Sequence, residues 1–83
     1  MRDYDFGNLL YKLRIESGYT QKDIADMLGV TDKAVSKWEN GIAKPTTNNI
    51  KLLSTIYNVS VEELLNGKDA IENKKIIIAF HNK

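Results

Sequence analysis

Apolar residues recur along most of the chain at the three- and four-residue spacing of a helix face. Phe6, Leu9, Leu10 and Leu13 stand at i, i+3, i+4 and i+7. Asp3 or Asp5 supplies a cap before them, and Gly18 supplies a stop, because the left-handed turn that ends many helices disfavours a Cβ. The spacing predicts a first helix over about 5–17. Thr20 then stands three residues before Asp23, a near relative of the capping box, and Ile24, Met27 and Leu28 form an apolar stripe that Gly29 ends. A second helix is predicted over about 21–28. Thr31 is the next cap, Ala34, Val35 and Trp38 the next stripe, and Asn40-Gly41 the next stop. They predict a third helix over about 32–39.

Past a loop holding Pro45, Thr46 or Thr47 caps a fourth helix over about 47–57, with Ile50, Leu53, Ile56 and Tyr57 inward. Ser60-Val61-Glu62-Glu63 is a full capping box; Leu64 and Leu65 follow as inward residues, and Gly67 ends the fifth helix. The character changes in 68–83. Asp69–Lys75 is polar, and Ile76–Phe80 is apolar and rich in β-branched residues, the signature of a strand or a buried patch. The expected fold is therefore all-α, five short helices over 1–67, with a short C-terminal tail of strand character over 68–83.

Composition narrows the function. Eighty-three residues make one domain, and 42% hydrophobic with 28% charged residues is ordinary globular usage. With no Cys and one His, no disulfide scaffold, thiolate metal site or histidine cluster is expected, and no cofactor is implied. No apolar run is long enough to span a membrane and no signal peptide opens the chain, so a cytoplasmic protein is expected. Net charge is +1, too little to indicate nucleic acid by itself. Locally, residues 31–51 hold four Lys against two acids, net +2, and residues 1–67 hold eight Lys/Arg against nine acids, net −1. Any nucleic-acid reading must rest on local pattern.

Residues 21–40 carry that pattern. Two short helices meet at a tight turn containing Gly29, and the small Ala25 lets them cross closely. Val35 and Trp38 lock the second of them onto the core, leaving its polar face outward with two lysines. A helix held this way fits the major groove of DNA. Gln21-Lys22-Asp23-Ile24-Ala25, Gly29-Val30-Thr31, Val35-Ser36-Lys37-Trp38-Glu39-Asn40-Gly41 and Tyr57–Leu65 together resemble the XRE family, the Cro/lambda-repressor-like helix-turn-helix proteins, over about residues 6–67.

The resemblance implies roles. Gln21 contacts a phosphate at the start of the second helix. Thr31, Asp32, Lys33, Ser36 and Lys37 face DNA from the third, with Asp32, Lys33 and Lys37 at base-reading positions. Asn40 and Lys44 grip the backbone beyond it, and Arg14 and Glu39 form an internal ion pair. Lysine suits guanine O6/N7, and Asp32 suits cytosine N4. Two departures stand out. Asn8 lies where the family often carries a basic residue, and Asp32 repels phosphate, which lowers the non-specific share of affinity.

The expected function is a sequence-specific transcriptional regulator, a repressor binding a palindromic operator on double-stranded DNA as a homodimer. The alternative is an antitoxin-type interaction module that binds a partner protein as well as DNA. Glu62-Glu63 is no acid/base pair, since neighbours on a helix point about 100° apart, and no enzyme signature is found. Trp38 is expected in the core and not on a base, and His81 in a solvated tail. Ile76–Phe80 is open to three readings: a dimer contact, packing against the helical core, or the start of a longer segment.

Overall fold

In the computed structural model, which describes residues 4–66, the chain forms five helices: α1 (Tyr4–Ser17), α2 (Gln21–Leu28), α3 (Asp32–Glu39), α4 (Thr47–Tyr57) and α5 (Val61–Asn66). The starts of α2 to α5 each have a local chemical cause. Thr20 Oγ1 accepts from the Asp23 amide (3.0 Å) while the Thr20 amide donates to Asp23 Oδ2 (2.9 Å), a reciprocal box at the head of α2. Thr31 Oγ1 accepts from the Ala34 amide (3.1 Å), and Thr46 Oγ1 from the Asn49 amide (3.2 Å). Thr46 is thus the cap of α4, and Thr47 its first helical residue. Ser60 and Glu63 close the second reciprocal box, at 2.9 and 3.2 Å. Each such cap contributes about 1 kcal/mol. Asp5 lies in the first turn of α1, and Asp3 lies outside the described residues.

The stops are equally local. Gly29 turns left-handed (φ 71°) and closes α2. The stop of α4 is a non-glycine residue, Asn58 (φ 55°), a residue type that tolerates this region.

The core is built from Phe6, Leu9 and Leu10 of α1, Ile24 and Ala25 of α2, Val35 and Trp38 of α3, Leu53 and Tyr57 of α4, and Leu64 of α5. Leu13, Ile50 and Ile56 pack against it half-buried. Helix α1 is central and packs on α3, α4 and α5, while α2 packs on α3. Two residues expected inward face out. Leu65 is 61% exposed and Met27 48% exposed. Helix α5 is only six residues long, and once Leu64 points at the core, Leu65 must point about 100° away. On α2 the adjacent pair Ile24 and Ala25 fills the inward arc, leaving Met27 on its outer edge.

Among the described residues no helix is long and apolar enough to cross a membrane. Gly67, expected to end α5, and the tail 68–83 with Ile76–Phe80 and His81 lie outside the described residues.

Candidate nucleic-acid interface

Helices α2 and α3 are joined by Gly29, Val30 and Thr31. The Val30 amide donates to the Ala25 carbonyl at 3.0 Å, so the turn folds back on the end of α2 before Thr31 caps α3. Val35 and Trp38 are buried, which fixes α3 about its own axis. Thr31, Asp32, Lys33 and Lys37 are thereby exposed and Ser36 is half-buried. Lys33 and Lys37, four apart, lie one above the other on the outward face. Asp32 in the first turn and Lys37 in the last also suit the helix dipole. Asp32 therefore has a stabilising role that does not involve DNA.

Asn40 closes α3. Its Nδ2 donates to the Ser36 carbonyl (2.8 Å) and approaches Ser36 Oγ (3.3 Å). Lys44, in the following loop, sets its Nζ 5.9 Å from the centroid of the Phe6 ring, within cation–π range. Both side chains are exposed.

The rear of the motif is held by a polar cluster. Arg14 Nε donates to Glu39 Oε2 at 2.7 Å and Nη2 to Glu39 Oε1 at 3.0 Å, a bidentate fork; Nη1 donates to the Tyr19 carbonyl at 2.9 Å. The two side chains are 9% and 5% exposed. The hydrogen bond to Glu39 raises the pKa of Arg14. Gln21 Nε2 donates to the same Glu39 Oε1 at 3.1 Å. One carboxylate at the end of α3 thus ties the end of α1 to the start of α2. Nearby, Tyr57 holds its proton more tightly than a free phenol, first because it is buried and second because Glu39 is negative.

Gly7 completes the arrangement and escaped the reading of apolar spacing. A Cβ there would lie 2.5 Å from the Glu39 carbonyl oxygen and 2.9 Å from that of Trp38. Backbone therefore meets backbone where α1 crosses the end of α3. The available signal was a glycine inside a helix, which costs about 1 kcal/mol relative to alanine and calls for a packing reason. The Gln21–Glu39 bond had no signal in the sequence, because the residues are 18 apart.

Arg14 and Glu39 therefore lie buried behind the motif, with Gln21 reaching Glu39 from the half-exposed start of α2, while Asp32, Lys33, Ser36 and Lys37 share the outer side of α3. This is a rigid, polar, weakly cationic helix face and not a pocket. Among the described residues no group of three or more His, Cys, Asp or Glu is placed to hold a metal ion.

Comparison with known proteins gives the same architecture. A family model described as helix-turn-helix matches residues 10–64. The HTH-type transcriptional activator BcrR of Enterococcus faecalis is 36% identical over 83 residues, covering 94% of this chain and 41% of its own length. The restriction-modification controller protein C.AhdI of Aeromonas hydrophila superposes with a TM-score of 0.67 at 30% identity, over 74% of this chain and 92% of that one. The P22 c2 repressor, solved in complex with a synthetic operator, gives 0.67 at 27% identity, over 71% and 89%. The chain spans between 41 and 60% of the length of the curated relatives it first matches.

Proposed function

The chain belongs to the helix-turn-helix family of XRE, Cro/lambda-repressor-like type, and from that premise we propose that it is a sequence-specific DNA-binding transcriptional regulator whose reading helix is α3. The observation that carries this is the fixed rotation of α3: Val35 and Trp38 are buried in the core, so Asp32, Lys33, Ser36 and Lys37 stand together on the outside. A side chain reads base edges only from an element seated in the groove. Lys33 and Lys37 suit guanine O6/N7, and Asp32 suits a cytosine N4 donor. Gln21, Thr31, Asn40 and Lys44 flank them and serve the sugar-phosphate backbone. The P22 c2 repressor, solved on an operator, supports this placement.

One helix reads only a few base pairs, so the regulator acts as a homodimer on a palindromic site, its two α3 helices about 34 Å apart. Leu52 and Leu65 are large exposed apolar residues available to such an interface. The family relatives include both an activator and a repressor. We assign repression to this chain, because a helix-turn-helix unit seated on promoter DNA is enough to block it, and the P22 c2 repressor shares this unit. The reading places the protein in the cytoplasm with its DNA and involves no chemical step.

Selection from random duplexes at two salt concentrations, with wild type and Lys33→Ala/Lys37→Ala, tests this reading. A palindromic consensus that disappears in the double variant is expected. No enrichment at low salt overturns specific recognition by this chain.

A further inference from the structure

The Glu39 carboxylate is held at both of its oxygens. Arg14 takes both of its oxygens through Nε and Nη2, and the Arg14 guanidinium is itself pinned to the Tyr19 carbonyl. Such a group dictates how a neighbouring amide must lie. A carboxylate only accepts, so Gln21 must turn its nitrogen inward, as it does at 3.1 Å. The opposite flip would set the amide oxygen against a carboxylate oxygen. Nitrogen-inward spends one of the two Nε2 hydrogens and leaves the other unspent. Gln21 is the first residue of α2 and half-exposed. It therefore offers this hydrogen at the positive end of the helix dipole. Phosphate oxygens accept and do not donate, so the second N–H is the part of this side chain that a DNA backbone can use.

We propose that Glu39 is a positioning residue for DNA-backbone binding: it locks the Gln21 amide nitrogen-inward, so that the remaining N–H is presented to a phosphate oxygen. This rests on the DNA-binding reading above. It makes Glu39 helpful to DNA affinity although its charge is negative. Simple electrostatics gives the opposite sign, since removing a carboxylate from a DNA-binding domain strengthens attraction to phosphate.

The probe is a mixed-sequence duplex of roughly 20 base pairs, two helical turns, at low salt. Phosphate contacts are independent of sequence, so no operator is needed. Wild type, Gln21→Ala, Glu39→Gln and the double variant are compared below the melting transition of each. Gln21→Ala and Glu39→Gln should each weaken binding by roughly ten- to a hundredfold, the range of one hydrogen bond to a charged group. The double variant should be no weaker than the worse single one, because both changes remove the same contact. Glu39→Gln binding as tightly as wild type, or more tightly, overturns the proposal.

A second measurement needs no variant to fold. In the wild-type NMR spectrum, adding the duplex should move one of the two Gln21 Nε2 protons and leave the Glu39-facing one in place. Two unmoved protons in a DNA-bound protein overturn the proposal. A wild type that binds no duplex at low salt overturns the DNA-binding reading itself, and this inference with it.

Discussion

Gly7→Ala should destabilise this domain, against the ordinary rule for helices. Gly7 lies within α1 and has no left-handed backbone to maintain. At an exposed site the change to alanine would stabilise the helix by about 0.8–1 kcal/mol. Here the new methyl would stand 2.5 Å from the Glu39 carbonyl oxygen and 2.9 Å from the Trp38 carbonyl oxygen. Both obstructions are backbone at the end of α3, and neither can swing aside as a side chain would. The helices must separate by several tenths of an ångström, an overpacking cost of about 1–3 kcal/mol. At so rigid a contact the cost falls in the upper part of that range, about 2–3 kcal/mol, and the opposing effects leave a net loss of about 1–2 kcal/mol. In a domain of this size that lowers the melting temperature by roughly 5–15 °C. Thermal melts followed by circular dichroism read this directly. Asn8→Ala, one residue on and exposed, is the control and should be neutral or slightly stabilising. A Gly7→Ala protein that melts at or above wild type would refute the idea that α1 and α3 meet through their backbones.

Arg14→Met should cost about 3–5 kcal/mol, because it strands the buried Glu39 carboxylate with only Gln21 as donor; urea unfolding at unchanged slope whose midpoint shift amounts to less than about 1 kcal/mol contradicts this. Tyr57, whose phenol is raised above its ordinary value of 10.0, contributes stability that is complete below that value and is lost as pH rises through the folded-state one. The melting temperature of wild type should therefore fall more steeply above about pH 10 than that of Tyr57→Phe, and parallel profiles would show that Tyr57 ionises without unfolding cost. The Thr20 amide, and after it the Thr20 hydroxyl, hold the Asp23 carboxylate below its ordinary 3.8. That contribution is present above 3.8 and lost as pH falls through the folded-state value. Asp23→Asn should therefore show a shallower acid decline in melting temperature, and an unchanged decline would place the acid sensitivity elsewhere.

The helices were legible residue by residue because their ends are chemical events spanning three or four positions. Thr20 with Asp23, Ser60 with Glu63, Thr31 before Ala34 and Gly29 after Leu28 satisfy their own backbone groups locally. The rotation of α3 was legible too, since burying Val35 and Trp38 leaves its other side to solvent whatever covers them. Leu65 and Met27 face out against their apolar character, which says what a side chain prefers and not whether the available surface is already filled. The polar cluster depends on pairings across 25 and 18 residues, and apolar spacing is silent about such partners. Family resemblance alone indicated Arg14 with Glu39.

Local sequence by itself determined where α2, α3 and α4 begin and end, where α5 begins and which face of α3 is polar, because caps, stops and 3.6-residue periodicity act within a turn or two. Only the tertiary structure decided that Gly7 is a contact and not a weakness, that Gln21 faces Glu39, and that Leu65 stays in solvent. Those outcomes depend on which helix lies against which. That arrangement is set by burying the whole core at once, with each neighbour claiming space the others then lack.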